Sequence, residues 1–546
     1  MTERRRTVLV VLVVWLSFLL VSLACSQIPG VNESHYLTKS KHYWNPAWCS
    51  RDFFLTSFPA HRVFYGTVGS LTLWFELATV AVIGRVLGTG LLAISWTMLV
   101  RSLRSGSETD PSISRNTLAF GSIAEAILKP ETSVFRLMRL NSDWVALLAV
   151  WFFLGLQAIG NLSGEWLIGG FESKVVAFAL VFGGVASRLS LRFKTAALCS
   201  GLAIAFHPII GLWHVVAMML VEVFDHRTIF LWTSRSEPHR RLWSEAGLLI
   251  VTALPGMWPA IELLRIGDSQ ASYAANFVQV FYRLKHHLDP MDFGVWNYAS
   301  YALLAAIWIT SLVIIAKRES LSSRERMWAA YIAAAALFAA CGFFVGWGTR
   351  PAPEMWGYRW RMGLLKFYPF RLFDLMLPIA VAISLGRCAI GRWRRLAWMI
   401  AFAGFGFAVI KQQLHEPSVP WPRQARADWK SACAWIAANT PADSLFLTPI
   451  ESDSFKWFAQ RAEWVNFKDC PQDAVGIVEW NGRLKWMDRW SKAAFEDERY
   501  STVELRVLRR KTKAEFAMAR TRVPYEADLI YSNETFNVFR LPGTPE

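Results

Sequence analysis

The stretch RRRTVLVVLVVWLSFLLVSLACSQIPGVNESHY (residues 4–36) joins a basic start, a long apolar run and an acidic, aromatic segment. The run from Val8 to Leu23 is long enough to cross a membrane with its flanks, and the arginines before it favour a cytoplasmic N-terminus. Lipoprotein-like cleavage at Cys25 is the alternative for this start. The segment Asn32-Glu33-Ser34-His35-Tyr36 then emerges on the far side, where a carboxylate beside aromatic residues predicts a membrane-surface active site.

The composition of the chain is that of a polytopic membrane protein. It has 546 residues, 54% of them hydrophobic, with 28 Trp and 37 Phe, which is more apolar content than a soluble core of this size needs. The net charge of +16 comes from basic residues that lie between apolar runs and set the membrane topology, so nucleic acid is excluded as its reason. The seven cysteines show no CxxC pair, which argues against a structural zinc site.

Apolar runs predict about eleven transmembrane helices, so the expected fold class is mainly α. Basic residues near the run ends fall on one side, which predicts that the C-terminal segment lies outside the cytoplasm. The count requires His61 to Phe75 to lie in the membrane interface, as its apolar spacing allows, and every later orientation inverts if it crosses. The runs are Val8–Leu23, Thr79–Val100, Trp144–Gly160, Val175–Ala186, Ala196–Phe206, Ile209–Phe224, Ala246–Leu264, Tyr301–Ala316, Met327–Trp347, Leu372–Leu385 and Leu396–Ile410.

Two domains are expected: a transmembrane domain at residues 1–411, with a first outer loop at 26–78, and a soluble extracytoplasmic α/β domain at 412–546. In the second domain Cys433 and Cys470 are either a disulfide or two separate thiols. Pattern and turn residues there predict a helix at Asp428–Ala438, strands at Ser444–Thr448, Trp464–Phe467 and Asn537–Leu541, and mainly helix over Trp490–Arg522.

Four carboxylates on the predicted outer side are candidate catalytic residues. Glu33 and Asp52 lie in the first outer loop, with His35 nearby, and a carboxylate there can act as a general base or hold a divalent cation. Glu165 and Glu172 lie in the glycine-containing second outer loop, Asn161 to Lys174. The alternative is structural, with Glu33 at a helix end, Asp52 at a helix start, and Glu172 paired with Lys174.

A basic cluster between Gly348 and Asp374 breaks the charge rule that orders the other loops. An anionic lipid head group explains cations on the outer face, so we predict that Lys366, Arg371 and Arg361 bind a lipid phosphate. Snorkelling anchors on ordinary lipid are the alternative. Separately, His207 lies between two short apolar runs, where an ionisable side chain is a functional candidate.

This layout resembles the GT-C membrane glycosyltransferases, which include protein O-mannosyltransferases, the aminoarabinose transferase and the oligosaccharyltransferase catalytic subunit. The resemblance rests on the basic-flanked first span, the acidic loop at Asn32-Glu33-Ser34-His35-Tyr36, the interfacial stretch His61 to Phe75 and the outer tail. It also extends to Trp435-Ile436-Ala437-Ala438-Asn439-Thr440-Pro441, which is similar to a phrase after the last span of such proteins. Asn32-Glu33 stands where the family more often has an Asp-containing pair. The chain is also similar to an uncharacterised bacterial membrane protein family.

The resemblance implies an inverting transferase that moves a sugar from a polyprenyl-phosphate donor to an extracytoplasmic acceptor. It implies Glu33 as base or metal ligand, with Asp52 a weaker candidate and Glu165 or Glu172 as the second acidic site. A divalent cation is the candidate cofactor, the partners are the lipid-linked sugar and the bilayer, and the location is a bacterial inner membrane. The alternatives are a membrane transporter or lipid flippase, with His207 in the substrate path, and a non-catalytic membrane assembly protein.

Overall fold

A computed structural model describes residues 3–30, 32–104, 133–224, 238–389, 394–414, 421–495 and 498–543. Up to residue 414 it is helical. The helices of this part are α1 Glu3–Cys25, α2 Glu33–Trp44, α3 Arg62–Thr67, α4 Leu77–Arg104, α5 Ser133–Ile159, α6 Ser173–Leu189, α7 Phe193–Phe206, α8 Pro208–Phe224, α9 Pro238–Arg265, α10 Ser269–Val278, α11 Lys285–Leu288, α12 Val295–Arg318, α13 Ser323–Gly346, α14 Tyr358–Leu365, α15 Arg371–Cys388 and α16 Arg394–Leu414.

Each of the eleven predicted apolar runs coincides with one of these helices, because long unbroken apolar stretches satisfy their backbone only as helices in lipid. Six of the described helices are long and apolar enough to cross a membrane, and α7 and most of α8 form shorter apolar helices. The chain is therefore a mainly helical, integral membrane protein. The predicted count of about eleven spans is not confirmed.

The predicted interfacial stretch His61 to Phe75 consists of the six-residue helix α3 and a 3-10 helix, Val68–Leu73. Neither is long enough to cross a bilayer. The single amphipathic helix expected over this stretch is therefore broken in two, and α2 packs against both pieces. Phe64 and Tyr65 of α3 are buried in the main helical core, which also contains Phe18, Trp96 and Phe182.

From residue 421 onward the chain forms a small α/β unit, which we call the tail. Its helices are α17 Arg423–Asn439, α18 Phe455–Ala459, α19 Ala474–Ala494 and α20 Thr502–Thr512, and its strands are β1 Leu445–Leu447, β2 Ala462–Glu463, β3 Phe516–Arg520, β4 Asp528–Ser532 and β5 Phe536–Arg540. The sheet has the order β2-β1-β3-β5-β4, with β1 parallel to β2 and β3, and β5 antiparallel to β3 and β4.

Several local predictions for the tail agree with the structure and two do not. The predicted helix at Asp428–Ala438 lies within α17, and β1 and β5 fall where strands were expected. Trp464–Phe467 is not a strand: β2 ends at Glu463, and the following residues form a loop. Trp490–Arg522 includes β3, because its apolar residues pair with β1 and β5 in the sheet. Cys433 and Cys470 are free thiols.

The two faces of the tail sheet bury different cores. On one face Trp429, Phe446 and Phe536 pack together under α17. On the other, Leu445 and Trp480 share an apolar cluster with Phe54 of the loop after α2, and with residues of α10. The tail therefore rests on the membrane part through a continuous apolar interface, which places the loop at residues 466–470 beside α2.

Candidate functional site

The carboxylate of Glu33, at the first turn of α2, is held by Arg85, a guanidinium inside the apolar helix α4. Arg85 donates from Nε and Nη2 to the two oxygens of Glu33, both at 2.7 Å. Its other three N–H groups reach the carbonyls of Ser22, Ser26 and Gln27 at the end of α1, at 2.6–2.8 Å. All five donors of the guanidinium are satisfied, and both side chains are fully buried.

Glu33 also accepts two backbone N–H groups, from Gly30 at 2.6 Å and from Phe171 at 2.7 Å. Phe171 lies in the second loop, between α5 and α6, and its neighbour Gly170 packs so closely that an added Cβ would lie 3.0 Å from the Glu33 side chain and 3.3 Å from the Gly30 backbone. Both oxygens of Glu33 are therefore fully occupied. The structure favours a positioning role for Glu33, which joins α1, α4 and both loops, over the role of base or metal ligand.

The other predicted acids of the second loop form a chain of contacts with the first loop and with α15. Nζ of Lys174 lies 2.7 Å from Glu165 and 2.9 Å from Glu172. Asn32 donates to the second oxygen of Glu172 at 3.0 Å, and Nε of Arg371 lies 2.5 Å from the second oxygen of Glu165. All four charged side chains are at most 14% exposed. The structure thus brings Glu165, Glu172 and Arg371 together, as a shared site requires.

Asp374 fixes the second loop on α15. Its carboxylate accepts the backbone N–H groups of Leu162, Ser163 and Glu165 at 2.6–3.0 Å, and the hydroxyl of Tyr301 at 2.5 Å. Arg371 precedes Asp374 by three residues and so lies on the same helix face. One turn of α15 therefore positions Glu165 twice: Asp374 binds its backbone N–H, and Arg371 contacts its carboxylate.

His207 extends the contact chain towards α3. Its Nε2 lies 3.3 Å from Nη1 of Arg371, and its ring centroid is 5.2 Å from that of His61. Nε2 of His61 in turn lies 3.2 Å from the hydroxyl of Tyr36 on α2. The intramembrane histidine chosen from the sequence therefore belongs to the same contact chain as Arg371.

His287, just before α11 ends, supports the second loop from the opposite side. Its Nδ1 donates to the carbonyl of Ser163, and the left-handed backbone of Gly164 (φ 77°) leaves room for its ring: an added Cβ would lie 2.6 Å from it. Burial, with the nearby charges of His286 and Arg371, lowers the pKa of His287 to about 3. His287 is therefore neutral at physiological pH.

We expect the stability of the protein to fall as the pH is lowered from about 6.5, the ordinary pKa of histidine, towards 3. The unfolded chain binds a proton at His287 in this window and the folded protein does not, so the group contributes a loss of up to about 1.4 kcal/mol per pH unit. His287→Asn retains an N–H for Ser163 and removes the titration. Thermal unfolding in detergent at several pH values should show a shallower acid loss for this variant, and superimposable pH profiles would refute the assignment.

A second buried charge network joins α2 to the tail. Nζ of Lys456 lies within ion-pair distance of Asp469 (2.6 Å), Asp52 (3.4 Å) and Glu463. Asp469 also contacts Nδ1 of His35 at 2.9 Å. Burial alone would raise the pKa of Asp469, but the charge of Lys456 holds it well below its usual range. The network docks the tail onto the first loop with a charged, hydrogen-bonded contact inside the apolar interface.

Asp52 belongs to this docking network and is not brought together with Glu165 and Glu172. Its two oxygens accept the backbone N–H groups of Leu55, at 2.9 Å, and Glu463, at 3.0 Å. The geometry assigns it to tail attachment, whereas the structural alternative from the sequence placed it at a helix start.

Asp52→Asn is expected to weaken docking of the tail by about 1–3 kcal/mol. The amide NH₂ group that replaces one carboxylate oxygen cannot accept the N–H of Glu463. Any transferase activity at neutral pH should change less than about tenfold, well short of the effect of losing a general base. Limited proteolysis and thermal unfolding measure the first effect. Asp488→Asn, which removes an exposed pair with Lys492 on α19, is the matched control and should be nearly silent. This assignment would be contradicted if the tail of the control variant undocked. It would also be contradicted if Asp52→Asn lost its activity while its tail stayed docked.

Two further cations, unmarked in the sequence analysis, lie at the junction of the tail with the membrane part. Arg283 ends a π-helical turn, Gln279–Arg283, and its Nη2 donates to the carbonyl of Lys468 at 3.0 Å. Burial and the charge of Arg283 lower the pKa of the Lys468 ammonium, while Asp453 and Glu172 act in the opposite sense. The guanidinium of Arg371 stacks 4.0 Å from the ring of Tyr368. Lys468 of the tail and Arg371 of the membrane part both interact electrostatically with Glu172.

The other two predicted phosphate ligands lie in different surroundings from Arg371. Nη1 of Arg361 donates to the carbonyls of Val345 and Trp347, at 3.3 and 2.8 Å, and its guanidinium lies over Trp356 and Trp360. Lys366 lies over the ring of Phe367. Their aromatic neighbours fit the alternative of interfacial anchors, and phosphate binding by them stays a prediction.

Arg85 and Asp374 were missed although each stands alone in an apolar run, the same signal that singled out His207. Lys456 and Asp469 carry no such signal, because their partners are far away in sequence. Among the described residues, no group of three or more His, Cys, Asp or Glu side chains is arranged to hold a metal ion.

Comparison with known proteins gives a family for part of the tail only. A family model described as a domain of unknown function (DUF6798) matches residues 427–487, which include the docking residues Lys456, Glu463 and Asp469. No curated protein matches the chain significantly. The matched family therefore names no activity.

Solved structures of GT-C membrane enzymes share a similar course of the chain at low identity. ArnT from Cupriavidus metallidurans in the apo state is 12% identical, with a TM-score of 0.45 over 99% of this chain and 98% of that one. The Archaeoglobus fulgidus oligosaccharyltransferase in complex with Zn and sulfate is 12% identical, with a TM-score of 0.43 over 94% and 68%. The oligosaccharyltransferase AglB of the same organism, in complex with an inhibitory peptide and a dolichol-phosphate, gives 11% and 0.38 over 94% and 69%. Likeness at this level does not define an activity.

Proposed function

We propose that this protein is a membrane glycosyltransferase that moves a sugar from a polyprenyl-phosphate donor to an acceptor on the extracytoplasmic side. The proposal rests on one observation: the contact chain Asn32–Glu172–Lys174–Glu165–Arg371, which sets a carboxylate and a guanidinium together where both loops meet the tail. A base and a phosphate-binding cation at one membrane surface are the two groups that such a transfer needs.

Glu172 is the proposed general base. Glu33 is saturated by Arg85 and two backbone N–H groups. Burial would raise the pKa of Glu165, but the charges of Arg371 and Lys174 lower it overall, which weakens it as a base. Glu172 contacts one cation, Lys174, and accepts one hydrogen bond, from Asn32, so it keeps capacity to accept another.

In the proposed reaction the acceptor hydroxyl attacks the anomeric carbon from the side opposite the phosphate. A new carbon–oxygen bond to the acceptor forms as the bond to the phosphate oxygen breaks, and the hydroxyl proton passes to Glu172. The polyprenyl phosphate leaves with the bonding electron pair, and Arg371 and Arg283 stabilise its charge. The anomeric configuration is inverted.

The test is sugar transfer by the purified, reconstituted protein. Liposomes receive a panel of labelled polyprenyl-phosphate monosaccharides, with membrane lipids, glycans and peptides as acceptors, and products are resolved by chromatography and mass spectrometry. The expected result is an inverted glycoside that is absent without protein. Glu479→Gln, at a half-exposed residue of α19, is the control variant and should match the wild type. Movement of the labelled lipid between leaflets, with no glycoside from any donor, would replace this proposal with a flippase.

A further inference from the structure

Lys174 occupies an unusual position for a cation. It follows Ser173, the first residue of α6, where the helix dipole disfavours positive charge. Its side chain is 8% exposed, and its ammonium lies 3.7 Å from the centroid of the Trp166 ring. Burial and the dipole both oppose a charged lysine here, so the two carboxylates and the aromatic face must hold it.

Those carboxylates come from different parts of the second loop and converge on one point. Nζ lies 2.7 Å from Oε1 of Glu165 and 2.9 Å from Oε1 of Glu172. Buried carboxylates that meet in this way are the usual arrangement around a divalent cation, which binds oxygen at about 2.0–2.6 Å. Here the ammonium lies within ion-pair distance of both oxygens.

A divalent cation does not fit at Glu33 either. Both oxygens of Glu33 face the guanidinium of Arg85, so an added cation there would meet a positive charge. The second oxygen of Glu165 faces Arg371, and the second oxygen of Glu172 accepts from Asn32. Resident cations thus meet Glu33, Glu165 and Glu172 in place of a metal ion.

We infer that Lys174 is a built-in replacement for a divalent cation, so that Glu165 and Glu172 are neutralised by the chain itself and the site works without metal. As a positioning residue it orients Glu172. The inference about activity rests on the proposed function, whereas the inference about metal binding does not.

The test is binding of Mn²⁺ to the purified full-length protein, followed by the loss of the free-ion signal in electron paramagnetic resonance. The wild type is expected to show no site that depends on these carboxylates. Lys174→Ala should create one site per chain, at least tenfold tighter than any binding to the wild type, because two buried acids lose their counter-ion. The double variant Lys174→Ala/Glu172→Gln should lose this Mn²⁺ site.

Lys174→Arg keeps the charge and is the matched control, expected to bind no more Mn²⁺ than the wild type. If Lys174→Ala does not fold, Lys174→Gln, which keeps more of the side chain, takes its place, and a rise of its melting temperature with Mn²⁺ replaces the binding signal. The inference would be overturned if the wild type bound one Mn²⁺ and Glu172→Gln abolished that binding. It would also be overturned if neither Lys174→Ala nor Lys174→Gln gained an Mn²⁺ site. Where transfer is measurable, EDTA should change its rate less than twofold, and loss of transfer restored by Mg²⁺ or Mn²⁺ would overturn metal independence alone.

Discussion

Replacing Arg85 with methionine is expected to lower the free energy of unfolding by about 3–5 kcal/mol. The substitution leaves Glu33 buried without its counter-charge, and three carbonyls at the end of α1 lose their donors. Unfolding in mixed detergent micelles, followed by tryptophan fluorescence, measures the loss. Activity should fall with stability, because Glu33 also holds the second loop through the N–H of Phe171.

Two comparisons separate this effect from the loss of any arginine. Arg62→Met removes a pair with Glu262 that is about one-third exposed on both sides, and it should cost less than about 1 kcal/mol. The double variant Arg85→Met/Glu33→Gln removes both charges and should recover part of the loss. If Arg85→Met unfolds like the wild type, the Arg85–Glu33 pair does not organise the two loops.

Glu172→Gln is expected to reduce the rate of sugar transfer by about 10²–10⁴-fold, the usual contribution of a general base. The amide can still accept from Asn32 but cannot take the acceptor proton. Lys174 loses one counter-ion and keeps Glu165, so the melting temperature should change little in comparison with the rate. Transfer from the best labelled donor, measured under single-turnover conditions, gives this rate.

Glu172→Asp keeps the base but withdraws it by one methylene, and its rate should lie between those of the wild type and Glu172→Gln. A wild-type rate in a well-folded Glu172→Gln variant would remove Glu172 from the chemistry. Glu165→Gln is the informative contrast. It removes the ion pairs of Glu165 with Arg371 and with Lys174, so binding of the donor should change along with the rate.

The continuous apolar runs were enough to predict a membrane-part helix at each position, because a helix satisfies its backbone hydrogen bonds within one run. Charge placement near the run ends assigned Glu165, Glu172 and Arg371 to one side of the membrane, and the structure shows that they also lie in contact through Lys174. The sequence pattern could not show that Glu33 is saturated, because its partner Arg85 was read as part of an apolar span rather than as a buried charge.

The tail contacts were beyond reach for a different reason. Asp52 meets Lys456 and the N–H of Glu463 across more than 400 residues, and His35 meets Asp469 in the same way. No local pattern encodes such pairs, so Asp52 was grouped with acids near it in sequence. Similarly, Arg283 reaches the junction because of a π-helical turn that residue type alone does not indicate.

A binding measurement shows most directly whether a phosphate-linked lipid is held where both loops meet the tail. Native mass spectrometry of the full-length protein with added polyprenyl phosphate should show one bound lipid per chain. Arg283→Met should weaken lipid binding at least tenfold. Arg359→Met, at an exposed arginine of the basic cluster between Gly348 and Asp374, should not. Arg283 is preferred to Arg371 because no carboxylate among the described residues pairs with it, whereas Arg371 pairs with Glu165. Failure to bind, or equal binding by Arg283→Met and the wild type, would show that no phosphate-linked lipid is held at this junction.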